Sequence, residues 1–431
     1  MTHAADTDPR FVDARGRPRV VITGVGVVSP NGIGAEAFRD ACLAGRSGLV
    51  RQTFPDHPHL KTSTVAACTS FVPEQHMDAA ELRRVPRMVP MALAAAREAL
   101  TMARLTIPAD DLQTQRSVGV ALGTGGGGLA FVEEQYRAFF LHGKGSLFSI
   151  TAGTHGNLSS ELSILLGLRG PSHVLSTGCT SSTDAIGYAM LLLRSGAIDR
   201  MLAGGADAPI APGILTAFER MKVVSTRFHE NPASASRPFQ PDRDGFILGE
   251  GAWMFLLETA ESAARRGVMP LAELMGYAST CDAFHRVQIR PDVAEPVRAI
   301  EKALADAAVG PADIDYVNLH GTGTDLNDRL ETAAVKRALG PRAYGIPMSS
   351  TKSLVGHPQG ACGAAGLAAT VLSMRQGVLH PTINQDARDD ECDLDYVPNV
   401  ARPSSAKTAL CNCIAFGSKN SALVVRVIGG L

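Results

Sequence analysis

The regular pattern of the chain begins at Val20-Val21-Ile22-Thr23-Gly24, an apolar, β-branched run closed by glycine. Such a run predicts a buried strand ending at a tight turn. An Ala-rich helix is expected within Ala92 to Leu105, and a second strand at Val118 to Leu122. Short strands are expected at Val174 to Ser176 and at Met201 to Gly205. Between them, Ile186, Met190 and Leu193 recur at helical spacing and predict a helix over Ser181 to Leu193. The later half repeats the plan, with a strand at Tyr316 to Leu319, another near Met348 to Thr351, and a small-residue helix over Gly363 to Met374. The segments Ser176–Gly196 and Ser350–Gly377 read as diverged copies: strand, reactive side chain, Ala/Gly-rich helix, Arg-x-Gly. Alternating strands and helices predict an α/β fold with mainly parallel sheets. Residues 1–17 lack periodicity and are expected to be a flexible arm. The remainder divides into halves at 18–265 and 266–431, within the charged stretch Glu261 to Gly267.

Composition narrows the class. Of 431 residues, 45% are hydrophobic and 19% charged, and 41 basic side chains face 42 acidic ones. That balance argues against a nucleic-acid binder. No run approaches the ~18–20 apolar residues of a membrane helix, and no signal peptide is recognised at the start. None of the eight cysteines forms a Cys-x-x-Cys pair, which argues against a zinc ribbon or thioredoxin motif. A reduced, cytoplasmic setting is expected.

The chemistry concentrates in three turns. In Thr177-Gly178-Cys179-Thr180 a thiol sits where a strand gives way to a helix. Free N–H groups at a helix start favour thiolate and can bind an oxyanion; a small buried cysteine is the alternative use. His320 lies in Leu319-His320-Gly321-Thr322-Gly323, and His357 in Gly356-His357-Pro358-Gln359. Pro358 suits a first helical turn, which places His357 near a helix start, where a neutral imidazole is favoured. Lys352 and Glu331 are expected to form a partly buried ion pair that orients the site. Zinc held by Cys179, His320 and His357 lacks any locally spaced ligand pair, so no metal is expected.

These motifs resemble the elongating, type II-like branch of the β-ketoacyl-acyl-carrier-protein synthase family, including ketosynthase subunits of dissociated polyketide synthases. The resemblance spans roughly residues 18–428. It is carried by the Cys179 turn, Ala203-Gly204-Gly205-Ala206, Ser236-Arg237-Pro238-Phe239 and Arg243-Asp244-Gly245-Phe246. It continues in Gly249-Glu250-Gly251, the His320 turn, Ser350-Thr351-Lys352-Ser353, Gly356-His357 and Phe416-Gly417. It implies a thiolase-like α/β fold of two pseudo-duplicated halves in five αβαβα layers, acting as a dimer. Cys179 would accept an acyl chain, and His320 and His357 would assist decarboxylation of a malonyl extender. Lys352 and Glu331 would support them, and the N–H groups of Cys179 and Phe416 would form the oxyanion hole, with the Phe416 ring as a gate. The resemblance requires no cofactor. Acyl carrier protein is the implied partner, docking on Arg83, Arg84, Arg87 and Lys222. The dimer would be a homodimer or a heterodimer with a chain-length-factor homologue.

Thr180 to Asp184 after the nucleophile matches polyketide-type ketosynthases. Ile414-Ala415-Phe416-Gly417-Ser418-Lys419-Asn420 departs from the family's Phe-Gly-Phe-Gly-Gly-Thr-Asn, and Ser418 in place of glycine restricts that loop. Both features favour specialised metabolism over a housekeeping fatty-acid 3-oxoacyl synthase II homodimer. The noncatalytic partner subunit lacks the nucleophile. A coenzyme A-dependent thiolase would need a second cysteine as base, for which Cys411 and Cys413 are the candidates. The loop Leu122 to Gly128 lacks the Gly-Lys-Ser/Thr of a P-loop, and Gly24-x-Gly26 lacks a third glycine at dinucleotide spacing. Close backbone packing is the expected use of these glycines.

Overall fold

The computed structural model describes residues 8–228, 230–417 and 419–429. Among the described residues the large sheet takes five successive strands from the first half: β1 (Val20–Ser29), β2 (Val118–Gly123), β3 (Ser172–Leu175), β4 (Arg200–Asp207) and β5 (Gly251–Thr259). Five belong to the second: β6 (Ala272–Cys281), β7 (Tyr316–Asn318), β8 (Met348–Ser349), β9 (Thr408–Ala415) and β10 (Lys419–Val427). The helices that frame them are α1 (Met88–Met102), α2 (Ser181–Arg194), α3 (Ala294–Ala307), α4 (Asp325–Leu339) and α5 (Cys362–Arg375).

The halves repeat one topology. The first runs β1-β5-β4-β2-β3 and the second β6-β10-β9-β7-β8, and each has two antiparallel pairings followed by two parallel ones. The sheets are therefore mixed rather than mainly parallel. Each half closes on an antiparallel hairpin or return strand instead of a further βαβ crossover, a connection the alternation in sequence does not encode. β1 also pairs with β6 through Val20–Leu274 and Ile22–Ala272, so the two halves share one continuous sheet.

The layers follow from which helices lack a polar face. α2 and α5 are the two diverged copies; each touches strands of both halves and the other helix. Their small residues suit that central position: Ala185, Gly187 and Ala189 in α2, and Ala364, Ala365, Gly366, Ala368 and Ala369 in α5 are buried. α1 covers β1 and β5 on one outside, while α3 and α4 cover the second half on the other. The result is αβαβα. Gly24 and Gly26 serve helix packing, since a Cβ at either would lie 2.0 Å from the Ala99 carbonyl oxygen or 1.8 Å from that of Ala95.

Residues 8–17 differ from the expected loose arm. Arg17 pairs with Asp13 at 2.8 Å and with Asp306 at 2.6 Å, pinning this stretch to α3. The low-hydrophobicity sequence conceals an anchor made of charge. Residues 1–7 lie outside the described part of the expected arm.

Candidate active site

Cys179 occupies a 3₁₀ turn, Gly178–Thr180, between β3 and α2. Gly178 has φ of 72°, which turns the chain sharply, and a Cβ there would press on Ala415 at 3.3 Å. His320 follows β7 directly. His357 follows β8 after the short helix Lys352–Val355, and its backbone bridges to Leu248 with its N–H donating to Ile247 at 2.7 Å. It thus stands outside α5, separated from it by the 3₁₀ turn Gln359–Ala361, and not at the expected helix start. Because Pro358 caps that 3₁₀ turn and α5 begins only at Cys362, the local Pro signal marks a different element.

The three side chains converge. His357 Nε2 lies 3.2 Å from Cys179 Sγ, and the two imidazole rings stand 5.5 Å apart at 85°. All three residues are buried but line a cavity of about 300 Å³ whose rim includes Lys222, Phe246 and Phe416. The edge of Phe246 packs on His357 at 5.0 Å between centroids. The Phe416 N–H is directed at the Cys179 sulfur. Ser418, the other residue singled out in this loop, lies outside the described residues.

Lys352 and Glu331 do not pair with each other among the described residues; each holds the His320 turn instead. Lys352 Nζ donates to the His320 carbonyl at 2.5 Å and lies 3.3 Å from His320 Nδ1. Glu331 accepts from the N–H groups of His320 and Gly321, both at 2.7 Å, and from Asn412 Nδ2 at 2.6 Å. The carboxylate needs no ammonium because three N–H donors already satisfy it. Asn412 was not foreseen; its only signal is an isolated amide within the otherwise apolar strand β9.

Burial sets the protonation states. It lowers His320 to about 3, with the Lys352 ammonium adding to the effect, and it lowers His357 too, so both imidazoles are neutral at pH 7. Burial pushes the Cys179 thiol up to about 12, with Cys362 reinforcing it, and this outweighs the thiolate stabilisation expected of a helix start. The protonated sulfur has the neutral His357 ring within hydrogen-bond reach. For His320, whose folded value lies below the ordinary 6.5, stability is complete above pH 6.5 and is lost as pH falls toward 3. Wild type should lose about 1–2 kcal/mol more than His320→Asn between pH 7 and 5 in urea unfolding. Equal losses would contradict a neutral buried ring.

The glycine-rich loop after β2 is filled by the protein's own carboxylate. Asp207, fully buried, accepts from Thr124 Oγ1 at 2.7 Å and from the N–H groups of Gly125 and Gly126 at 2.8 and 2.9 Å. The donors that would cradle a phosphate are occupied. Cys411 contacts Thr370 Oγ1, outside the cluster, whereas Cys413 lies 3.5 Å from His320 Nδ1. Of the basic residues, Lys222 is exposed at the cavity rim, but Arg83, Arg84 and Arg87 line a separate cleft. Arg87 is committed to the buried Glu250 at 3.0 Å, and Arg84 pairs with Glu81 at 2.5 Å.

Comparison with known proteins decides the family. The β-ketoacyl synthase N-terminal domain model matches residues 17–263 and the C-terminal domain model residues 271–386. The chain belongs to the β-ketoacyl synthase family. It is a condensing enzyme of the acyltransferase class, and its fold is thiolase-like. The tetracenomycin polyketide synthase ketoacyl synthase alpha subunit of Streptomyces glaucescens is 40% identical over 416 residues, covering 94% of this chain and 96% of that protein. A solved type II polyketide synthase acyl-carrier protein in complex with its ketosynthase bound to the hexaketide matches with TM-score 0.88 at 33% identity, covering 96% and 100% of the two chains. The ishigamide ketosynthase/chain length factor matches with TM-score 0.88 at 32% identity, over 96% and 100%.

Proposed function

We propose that this ketosynthase elongates a polyketide chain in a dissociated, type II system, using Cys179 to hold the growing acyl group. The observation that carries the reading is the Cys179–His357 contact of 3.2 Å beside a second neutral imidazole at the end of an open cavity. In the first half-reaction the Cys179 proton passes to His357 as sulfur attacks the carrier thioester. The N–H groups of Cys179 and Phe416 receive the oxyanion, and the carrier thiol leaves with the proton. In the second, a malonyl thioester loses carbon dioxide. His320 and His357, both uncharged donors, stabilise the enolate oxygen, and the enolate carbon attacks the Cys179 thioester. A carbon–carbon bond forms, the carbon–sulfur bond breaks, and the departing sulfur takes up a proton from solvent, which restores the thiol.

Two surfaces support the partners. β3 is an edge strand among the described residues, and the helix Leu129–His142 with the loop and short helix Ser149–Gly153 that follow exposes Phe139, Phe140, Leu141, Leu147 and Ile150. An open strand edge and an exposed apolar patch of this kind each suit a dimer interface, and a chain-length-factor homologue is the partner proposed for them. Acyl carrier protein is proposed to dock at Lys222, whose left-handed backbone (φ 57°) holds its side chain out at the cavity mouth. Lys222→Glu should raise KM for carrier-bound substrate several-fold, by roughly 1 kcal/mol, with kcat little changed. An unchanged KM removes Lys222 from the docking surface. Arg87→Glu should instead lower stability, since it strands Glu250 against a like charge. A reducing, cytoplasmic setting suits the eight cysteines, all of them free.

The test is reconstitution with malonyl-carrier and acyl-carrier proteins, with and without a chain-length-factor homologue. Intact-mass detection should find an acyl group on Cys179 and a β-ketoacyl product only when the partner is present. Full turnover by the protein alone would favour the fatty-acid homodimer, and no loading on Cys179 under any condition would refute the reading.

A further inference from the structure

Two more thiols stand directly behind the nucleophile, and the condensation uses neither. Cys362 opens α5 and Cys413 lies in β9, so they come from separate elements of the second half. Their sulfurs are 3.7 Å apart, and each donates to the Cys179 carbonyl oxygen at 3.2 Å. Both are buried in one small cluster with Cys179 and Ala415. The His320 ring touches Cys413 at 3.5 Å, and the Lys352 ammonium lies 3.3 Å from that ring.

Two chemistries fit three such groups in one place: a thiophilic cation or thiol oxidation. His320, Cys362 and Cys413 present ligand atoms within 4.8 Å of one another. A positive charge already sits at the imidazole, however, because Lys352 is hydrogen-bonded to the His320 carbonyl at 2.5 Å. That ammonium repels a second cation but stabilises a thiolate. Burial opposes ionisation of Cys362, yet the hydrogen bond from Cys413, Lys352 and the two imidazoles together outweigh it and draw this thiol below its ordinary range. Cys413 is held above that range by burial and by Cys362 itself. One attacking sulfur and one protonated partner in contact is the arrangement of a reactive cysteine with its resolving cysteine.

We propose that Cys362 and Cys413 form a peroxide-sensitive thiol pair that closes reversibly to a disulfide beneath the Cys179 turn. Cys362 Sγ releases the proton it donates to the Cys179 carbonyl and attacks one peroxide oxygen; the O–O bond breaks, and a sulfenic acid and water result. The Cys413 sulfur then attacks the sulfenic sulfur, the S–O bond breaks, and water leaves. Two thiols are oxidised by two electrons and one hydrogen peroxide is reduced to two waters; an added dithiol, itself oxidised to a disulfide, returns the pair to thiols. Closure draws the sulfurs from 3.7 Å to about 2.05 Å, pulling the start of α5 toward β9. It also removes both S–H donors from the Cys179 carbonyl, which is left buried and unpaired. The turn that aims the nucleophile then loses its support from behind.

The experiment uses the full-length Cys179→Ala protein, so that the nucleophile itself cannot be oxidised. Near-stoichiometric hydrogen peroxide should lower the intact mass by about 2 Da. Peptide mapping should join the Cys362 and Cys413 peptides, and dithiothreitol should undo the link. Because closure also draws Cys413 Sγ away from its 3.5 Å contact with His320 Nδ1, malonyl-thioester decarboxylation by the same protein should fall roughly tenfold or more and return with the reductant. Adding Cys413→Ser, or Cys362→Ser if the first variant folds poorly, should abolish the mass loss; with Cys413→Ser, oxygen adducts should accumulate on Cys362 instead. No mass loss, a link through other cysteines, or the same loss in the serine variants overturns the proposal. The mass readout needs no condensing activity, so its outcome is independent of the proposed function.

Discussion

Cys179→Ala should abolish condensation, by at least about 10⁴-fold, while malonyl-thioester decarboxylation continues within roughly tenfold of wild type. The separation follows from geometry. The sulfur is the only atom of Cys179 that the acyl-transfer half-reaction uses as nucleophile, and among the described residues no other thiol lines the cavity. The decarboxylation machinery is held by other means. His320 is clamped by Glu331 through its own N–H and by Lys352 through its carbonyl, and His357 is fixed by its N–H to Ile247 and by Phe246. None of these contacts passes through the Cys179 side chain. Intact mass spectrometry after exposure to acyl-carrier protein should find no acyl adduct, and carbon dioxide release from malonyl-carrier protein should persist. Sustained β-ketoacyl formation by the variant would sink the assignment of Cys179.

What the sequence carried and what it did not divide along one physical line. Local chemistry was legible: a Gly-Cys turn before a helix, two histidines after strands, and two Ala/Gly-rich helices of matching form. Each depends on residues adjacent in the chain, and each is where it was expected except that His357 stands ahead of a 3₁₀ turn instead of at the start of α5. Contacts between distant segments were not legible. The expected Lys352–Glu331 pair assumed that opposite charges near His357 and His320 in sequence would meet. In the fold they grip opposite ends of the same peptide, and the unforeseen donor Asn412 completes the carboxylate's bonding. The arginines at 83, 84 and 87 read as one free basic patch, yet Arg87 is spent on a glutamate far along the chain. The thiols at 362 and 413 carried no local signal, and only the packing of α5 on β9 brings them together. Sheet direction failed for a related reason, since alternation of strand and helix does not reveal which strands return antiparallel.

The two histidines should separate kinetically. His320→Ala is expected to lower decarboxylation by roughly 10²–10³-fold while acyl loading of Cys179 stays within a few-fold of wild type. His357→Ala should impair both. The asymmetry rests on which ring touches sulfur: His357 Nε2 is 3.2 Å from Sγ, whereas His320 contacts Lys352 and Cys413. Without His357 the thiol, already raised to about 12 by burial, has no base within hydrogen-bond reach, so attack on the carrier thioester must slow. Without the His320 ring the thiol keeps its base, but the enolate oxygen loses one of two neutral donors. The turn itself should survive that truncation, because Glu331 and Lys352 hold its backbone rather than its ring. Rapid-quench measurement of acyl-enzyme formation, alongside carbon dioxide release, reads the two steps separately. Equal loss of loading in both variants would mean that the imidazoles act as one unit, and normal decarboxylation in both would remove them from the chemistry.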